Sequence, residues 1–510
     1  MRSSRRSITC SQYYFRGESR ITNLWVLAPF LTLATFGLLV TPAGLLKRGK
    51  TNIGVAPYAG LAGIVIALAS TIWLGFYGGP SQIFGGFQID LFTYFFTGVL
   101  LLVSLFVAIS SLDYMKGDAN TAPYFGLLLL STLGMIVLAA SMDLVLLYVG
   151  WELMSIPTYA LTAIKKKDPN SNEAAVKFFV MSALSSALLV FAISLTFGIT
   201  GSTSLPAIAS SLLTLTGDTR SFALIAIVMF VAGFGVKMAV VPFHMWIPDA
   251  FEGAPTTVSA LLAAGAKMAA FAAAFRVFIV AFGTVNIDWY STFAIVAIAT
   301  MTLGNVAALM QKSFTRLLAY SSIAQAGYVM IALAAPITAS GSPLGLAGGL
   351  FHVLNYSIVK TGAFVAAAAV ATRLPLNALD SFNGLAKRMP QTAFNIAIFF
   401  LALAGVPPLN GFFSKVMLFT GAVFSPYSWG GYLAIAALLN SGFSMSYYGW
   451  LIKRMYFDDP ADSSRIKEPR AYTSVMWMAT ALAFIIGLYP DPWIRLVQGA
   501  AASLIPVPTH

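Results

Sequence analysis

The chain has one cysteine in 510 residues, three histidines, and 18 acidic residues against 30 basic ones, with only 9% of positions charged. The lone Cys10 excludes an internal disulfide, a four-cysteine iron–sulfur site and the usual cysteine-built zinc site. Redox metal chemistry must then belong to partners, and no cofactor or metal is expected in this chain. So little charge leaves no soluble domain of useful size. Instead 58% of positions are hydrophobic, and several apolar runs exceed the ~20 residues that cross a bilayer. A net charge of +12 would suggest nucleic acid in a soluble protein. Here most basic residues lie in short loops between apolar runs, where the positive-inside rule accounts for them. No nucleic-acid partner is called for; the lipid bilayer is the first partner.

What is present is a succession of fourteen apolar spans, at about 24–46, 53–78, 88–112, 122–142, 143–164, 174–198, 222–246, 255–283, 288–310, 316–337, 343–372, 392–424, 430–457 and 471–500. They predict an all-α polytopic membrane protein. Connections after odd-numbered spans carry Lys47, Arg48, Lys50, Lys116, Lys165, Lys166, Lys167, Lys312, Arg316, Arg373, Lys387, Arg388, Lys453, Arg454, Arg465, Lys467 and Arg470, whereas those after even-numbered spans carry only Arg220. The asymmetry places the odd connections in the cytoplasm, or in the matrix or stroma of an organelle. Residues 1–23 hold five arginines, one acidic residue (Glu18) and no apolar signal core. They read as a basic tail, of a composition also found in organelle transit peptides. Three N-terminal spans follow (24–115), then a first five-span unit (122–283), a second (288–457), and a loop with the last span (458–510). Five is odd, so two such units in series have opposite topology, as an inverted repeat requires.

The most informative stretch is 231–257, VAGFGVKMAVVPFHMWIPDAFEGAPTT. A lysine deep in an apolar span is penalised by roughly 2.5–3.5 kcal/mol and tends to mark a proton or ion path. Pro242 has no N–H and is expected to break the helix five residues beyond Lys237, and broken helices are common at transporter sites. Lys237 and His244 are seven residues apart and would share a face of a continuous helix. A proline kink with one paired, buried lysine explains this stretch equally well by itself. The set is harder to explain as structure alone: Glu152, Lys177, Lys237 and Lys267 lie in consecutive spans of the first unit. Burial disfavours the charged form of a lysine and a nearby carboxylate restores it, so a changing Glu–Lys separation can release a proton. Sodium would want a cage of oxygens instead. The second unit carries His352, Tyr356 and Lys360 at four-residue steps, and Lys415 after Pro407 and Pro408. A buried histidine such as His352 is as readily a satisfied core residue as a relay. Arg276, near the end of its span, is expected to face headgroups, and Lys165 to Lys167 to form a solvated turn.

With these residues in view, the chain resembles the antiporter-like membrane subunits of respiratory complex I, most closely the N-type subunit (subunit 2). The stretches that carry the resemblance are VGWELMSIPTYAL, GFGVKMAVVPFHMWIPDAFEGAPTTVSALLAAGAK, LLAYSSIAQAGYVMIAL and LAGVPPLNGFFSKVMLF, and it covers nearly all of 24–500. It implies a proton channel of two inverted five-helix units with helices seven and twelve broken. By position it implies that Glu152 pairs with Lys237, that Lys177 helps modulate it, that Lys267 bridges onward with His244 nearby, and that Lys415 leads toward the exit. Gln325 stands where many relatives have histidine, which weakens a titratable relay there, although glutamine can still order a water chain. The implied partners are L-, M- and K-type membrane subunits and a peripheral arm with iron–sulfur clusters, with flavin as a further candidate and a quinone as acceptor. The location implied is the cell membrane of a prokaryote, with an organelle inner or thylakoid membrane as alternative. The expected function is proton translocation driven by redox chemistry in partners. A large subunit of a multi-subunit sodium/proton antiporter and a static scaffold are the alternatives.

Overall fold

Backbone amides inside a bilayer have no water to bond, so apolar runs must close their hydrogen bonds within themselves, and here they do so as helices. The computed structural model describes residues 24–45, 54–83, 86–213, 218–283, 288–460 and 462–505. The basic tail with Cys10, and Lys47, Arg48 and Lys50, lie outside the described residues. The N-terminal group comprises α1 (Ala28–Leu45), α2 (Val55–Tyr77) and α3 (Leu91–Tyr114). It is followed by α4 (Thr121–Ala140), α5 (Leu144–Thr162), α6 (Pro169–Thr200), the short α7 (Leu205–Leu212), α8 (Asp218–Met238) and α9 (Ile247–Gly253). Next, α10 (Thr256–Leu261) runs through a π-helical turn, Leu262–Ala266, into α11 (Lys267–Phe275) and a second π-turn, Arg276–Ala281. The rest is α12 (Trp289–Leu309), α13 (Phe314–Ala334), α14 (Leu344–Ala371), α15 (Leu385–Arg388), α16 (Pro390–Ala404), α17 (Asn410–Val423), α18 (Gly430–Phe457), α19 (Arg470–Leu488) and α20 (Asp491–Ala502).

Among the described residues, 12 helices are long and apolar enough to cross a membrane. The other two expected spans are also present. One is divided into α16 and α17, and the other is α18, whose glycines, serines, tyrosines and Asn440 lower its hydropathy. Helix starts follow local capping chemistry. Asp90, Asp143 and Asp168 each precede a helix and accept from its first backbone amides, and Pro169 takes the first position of α6, where its missing N–H costs nothing. Glycine allows closest approach between α4 and α5: a β-carbon on Gly134 would stand 2.2 Å from the Met154 nitrogen. The core sits where the unusual polar residues are. Spans Thr256–Ala281 and Leu344–Ala371 are wholly buried and Phe314–Ala334 nearly so, whereas α1, α2 and α6 turn most of their surface outward.

Several expectations are corrected. Pro242 does not end its helix: α8 stops at Met238, and Ala239 already has φ +62°. The ending is made by competing donors, since Ala239 N bonds the Val236 carbonyl, Val240 N bonds that of Gly235, and the Trp246 indole donates to Val236 O at 2.8 Å. Pro242 lies in the turns that follow, so the seven-residue relation of Lys237 to His244 has no continuous helix behind it. The second break matches expectation: α16 stops at Ala404, Gly405 has φ +91°, and Pro407 and Pro408 fill the gap before α17. The last span is two helices, because Pro490 cannot continue α19. The amphipathic α20 turns back onto α3, where Ser503 Oγ accepts from Phe92 N at 3.3 Å. The sequence reading also overlooked a small antiparallel hairpin before α3, β1 (Ser81–Ile83) with β2 (Phe87–Ile89).

Candidate functional site

The last turn of α8 delivers Lys237 to a site that is nearly closed, where the residue is 2% exposed. Its Nζ donates to Ser182 Oγ at 3.1 Å and lies 4.7 Å from the Phe178 ring centre, 5.1 Å from Tyr159 and 6.0 Å from Trp151. Three ring faces thus replace part of the water an ammonium loses on burial. Phe178 is itself held by a stacked Trp246, 4.7 Å away. One turn along α6, Ser186 donates to Glu152 Oε1. The direct Glu152–Lys237 ion pair expected from sequence is therefore not formed. Helix α6 packs between α5 and α8, and its serines at i and i+4 stand between carboxylate and ammonium.

Lys177 is not one of the interior lysines. It lies near the start of α6 on its outer face, 45% exposed, with Nζ 2.8 Å from both Glu173 Oε1 and Asp249 Oδ2. Arg316 joins the same surface cluster, 2.9 Å from Asp249 and 3.0 Å from Glu252. Burial pushes the Asp249 carboxyl up, but the bonds from Lys177 and Arg316 pull it further down, to a net value below the ordinary carboxylate range. The cluster fastens α9 to α6 and α13. His244 is buried, and its Nδ1 has no hydrogen-bond partner; it makes no bond to Lys267.

Lys267 follows the first π-turn directly, on the wholly buried span. Its Nζ donates to Ser322 Oγ at 2.6 Å, to the Ser322 carbonyl at 2.7 Å and to Tyr356 OH at 2.8 Å. Tyr356 in turn donates to the Ala263 carbonyl inside the π-turn, at 3.1 Å. The neighbouring Ser321 takes Lys360 Nζ at 2.7 Å and meets Tyr448 OH at 2.7 Å. One turn further along α13, Gln325 Oε1 is 2.9 Å from His352 Nε2, and His352 Nδ1 is 3.1 Å from Ser414 Oγ. Lys415, adjacent to Ser414, donates to Ser441 Oγ at 2.7 Å and to the Ala404 carbonyl at 2.9 Å, a carbonyl freed by the second helix break. Lys267, Lys360, His352 and Lys415 thus occupy one band between α11, α13, α14, α17 and α18. Their hydrogen bonds go to neutral hydroxyl, carbonyl and amide groups. The hydroxyls among them can accept from a protonated amine or donate to a neutral one, so each lysine of the band can change charge and keep a hydrogen-bonded partner. Among the described residues no three His, Cys, Asp or Glu side chains gather as metal ligands would.

Arg276 does not face headgroups. It is 1% exposed and grips Asp90 with two bonds of 2.8 Å, while its Nε donates to the Ala139 carbonyl at 3.0 Å and its Nη2 also donates to Thr93 Oγ1 at 2.8 Å. Sequence reasoning missed Asp90, Asp249, Glu252 and the serines at 182, 186, 321, 322, 414 and 441. The spacing of Ser182 and Ser186, and the Ser321–Ser322 pair inside an apolar span, were the available signals.

Residues 141–444 match the family described as NADH:quinone oxidoreductase/Mrp antiporter, transmembrane. The chain is 41% identical to F(420)H(2) dehydrogenase subunit N of Methanosarcina mazei, over 94% of this chain and 99% of the relative. It is 36% identical to NADH-quinone oxidoreductase subunit N of Moorella thermoacetica, over 95% and 99%. Among solved structures, a chain of respiratory complex I from Thermus thermophilus superposes with TM-score 0.76 at 28% identity, covering 92% of this chain and all of that one. The Mrp complex of a Dietzia species superposes with TM-score 0.81 at 22% identity over 94% and 97%, which is a likeness of fold. The chain belongs to the NADH:quinone oxidoreductase/Mrp antiporter membrane family, on the side of its N-type subunits.

Proposed function

We propose that this chain is a proton-translocating N-type subunit in the membrane arm of a complex I-like oxidoreductase, and that it moves protons while partner subunits move electrons. The observation that carries the reading is the band of Lys267, Lys360, His352 and Lys415, buried and bonded to neutral groups. Lys237 forms the first station, tuned by Glu152 through Ser186 and Ser182. Lys267 with Ser322 and Tyr356 forms the centre, Lys360, Gln325 and His352 relay onward, and Lys415 closes the line at the second break. Residues 122–283 and 288–457 act as the two working halves, with the breaks beside Pro242 and Pro407–Pro408 freeing backbone carbonyls at membrane depth. Lys177 is left out of the path.

The partners are L-, M- and K-type membrane subunits and a peripheral arm whose iron–sulfur clusters, with flavin in the donor-oxidising part, deliver electrons to a quinone or similar carrier. Relatives are named for different donors, F420H2 in one and NADH in others, so donor choice belongs to the peripheral arm. Bacterial and archaeal relatives favour the cell membrane of a prokaryote. The test is Lys237→Ala and Glu152→Ala in the assembled complex, reconstituted in liposomes. Proton uptake coupled to donor oxidation should fall severely, and unchanged uptake by an intact mutant complex would sink the reading. An assembly without a redox arm, whose turnover requires sodium, would instead identify the antiporter branch.

A further inference from the structure

Two buried side chains stand outside the network just described. Asn355 on α14 and Asn410 at the first position of α17 are both 0% exposed, and the oxygen and nitrogen of both amides have no hydrogen-bond partner in the protein. Buried amides are nearly always partnered, because an unpaired polar group in an apolar interior is strongly disfavoured. Two such residues, each within one turn of the His352–Ser414 contact, point to a ligand.

Register places them at neighbouring levels of the two helices. Helices α14 and α17 run antiparallel: Gly345 lies against Gly421 and Gly348 against Leu418, and His352 meets Ser414. Three residues further along α14 and three to four back along α17 is the Asn355 rung, opposite Gly411 and Asn410. A β-carbon on Gly411 would stand 3.3 Å from Asn355 Nδ2 and 1.7 Å from the Ala402 carbonyl oxygen, so only glycine fits where α17 meets α14 and the end of α16. Helix α19 packs against the same turn, where a β-carbon on Gly487 would stand 2.1 Å from the Pro408 carbonyl oxygen and 2.7 Å from Asn410 N. One rung therefore bonds directly, His352 to Ser414, and the next does not.

We propose that Asn355 and Asn410 bind a small cluster of water, and that this cluster is a branch of the proton path leading from the His352–Ser414 pair into the α16–α17 break and against α19. Each amide offers two N–H donors and a carbonyl acceptor, and a buried water commonly makes about three bonds, so water satisfies all four heteroatoms. A sodium ion would take the amide oxygens alone and leave both nitrogens without acceptors. Neither amide holds a proton at neutral pH. The proton crosses by hopping: an O–H bond forms on the receiving water as the O–H bond behind it breaks, with no oxidant or reductant involved.

The inference rests on the proposed proton-translocating function, and its test separates the two. A high-resolution cryo-EM map of the native complex should show water density within hydrogen-bond distance of both amides. Amides bonded directly to each other, with nothing between them, overturn the proposal. In liposomes, Asn355→Leu and Asn410→Leu should each lower protons moved per electron pair several-fold, and Asn355→Ser, which can still hold water, should restore most of the loss. Leucine variants that pump normally while Lys237→Ala does not would refute the branch and leave the function standing. Native pumping that requires sodium and loses that requirement in the leucine variants would overturn water in favour of a cation.

Discussion

The Asp90–Arg276 pair allows a stability prediction with internal controls. Asp90 has two jobs: it accepts both guanidinium bonds, and it caps α3 by accepting from Thr93 N at 2.8 Å. Asparagine also caps well, so Asp90→Asn removes the charge and keeps the cap. With Arg276 1% exposed, the guanidinium is then left buried without its counter-charge, at a cost of about 3–5 kcal/mol. Asp90→Ala also removes the cap and should cost ~1 kcal/mol more. Combining Asp90→Asn with Arg276→Gln removes both charges and keeps a donor for the Ala139 carbonyl. That double variant should recover most of the loss, to within about 1–2 kcal/mol of the native chain. The assay is unfolding of the purified chain in mixed micelles by SDS titration, followed by circular dichroism. Expected stability runs native, double variant, Asp90→Asn, Asp90→Ala. An Asp90→Asn cost below ~1 kcal/mol would mean that the pair behaves like a hydrated surface pair and would refute its assignment as a buried anchor.

Lys177→Ala should leave proton uptake per electron pair at the native value, in contrast to Lys237→Ala, because its ion pairs lie on the outer surface; loss of uptake in liposomes would return Lys177 to the path. Gly134→Ala should destabilise the chain by about 1–3 kcal/mol, since the new methyl would meet the α5 backbone at 2.2 Å. Gly75→Ala, exposed on α2 with nothing within 4 Å, should be neutral or stabilising by up to ~1 kcal/mol in the same SDS titration.

Helix number, approximate span positions and the presence of lysines within apolar spans were legible in the sequence because the terms that govern them are local. An apolar run of bilayer length has one way to satisfy its backbone, and a lysine within it is costly wherever it sits. The two breaks were legible as regions, since Lys237 with Pro242 and Lys415 with Pro407–Pro408 are strong local signals. The exact end of α8 was not, because it depends on the Trp246 indole returning ten residues later to bond Val236. Tertiary structure also decided which cations are interior. Lys177 and Lys237 look alike in sequence, but one faces outward to Asp249 and the other inward to Ser182. Arg276 and Asp90, 186 residues apart, carry no local sign of each other. Serines, asparagines and tyrosines are unremarkable in apolar helices until helix rotation and packing aim them at an ammonium, an imidazole or one another. Sequence alone therefore determined a lysine-bearing membrane bundle. Which of its polar groups meet one another was settled by the faces that α6, α13, α14 and α17 turn toward their neighbours, because hydrogen bonding depends on distance and direction across the bundle rather than on position along the chain.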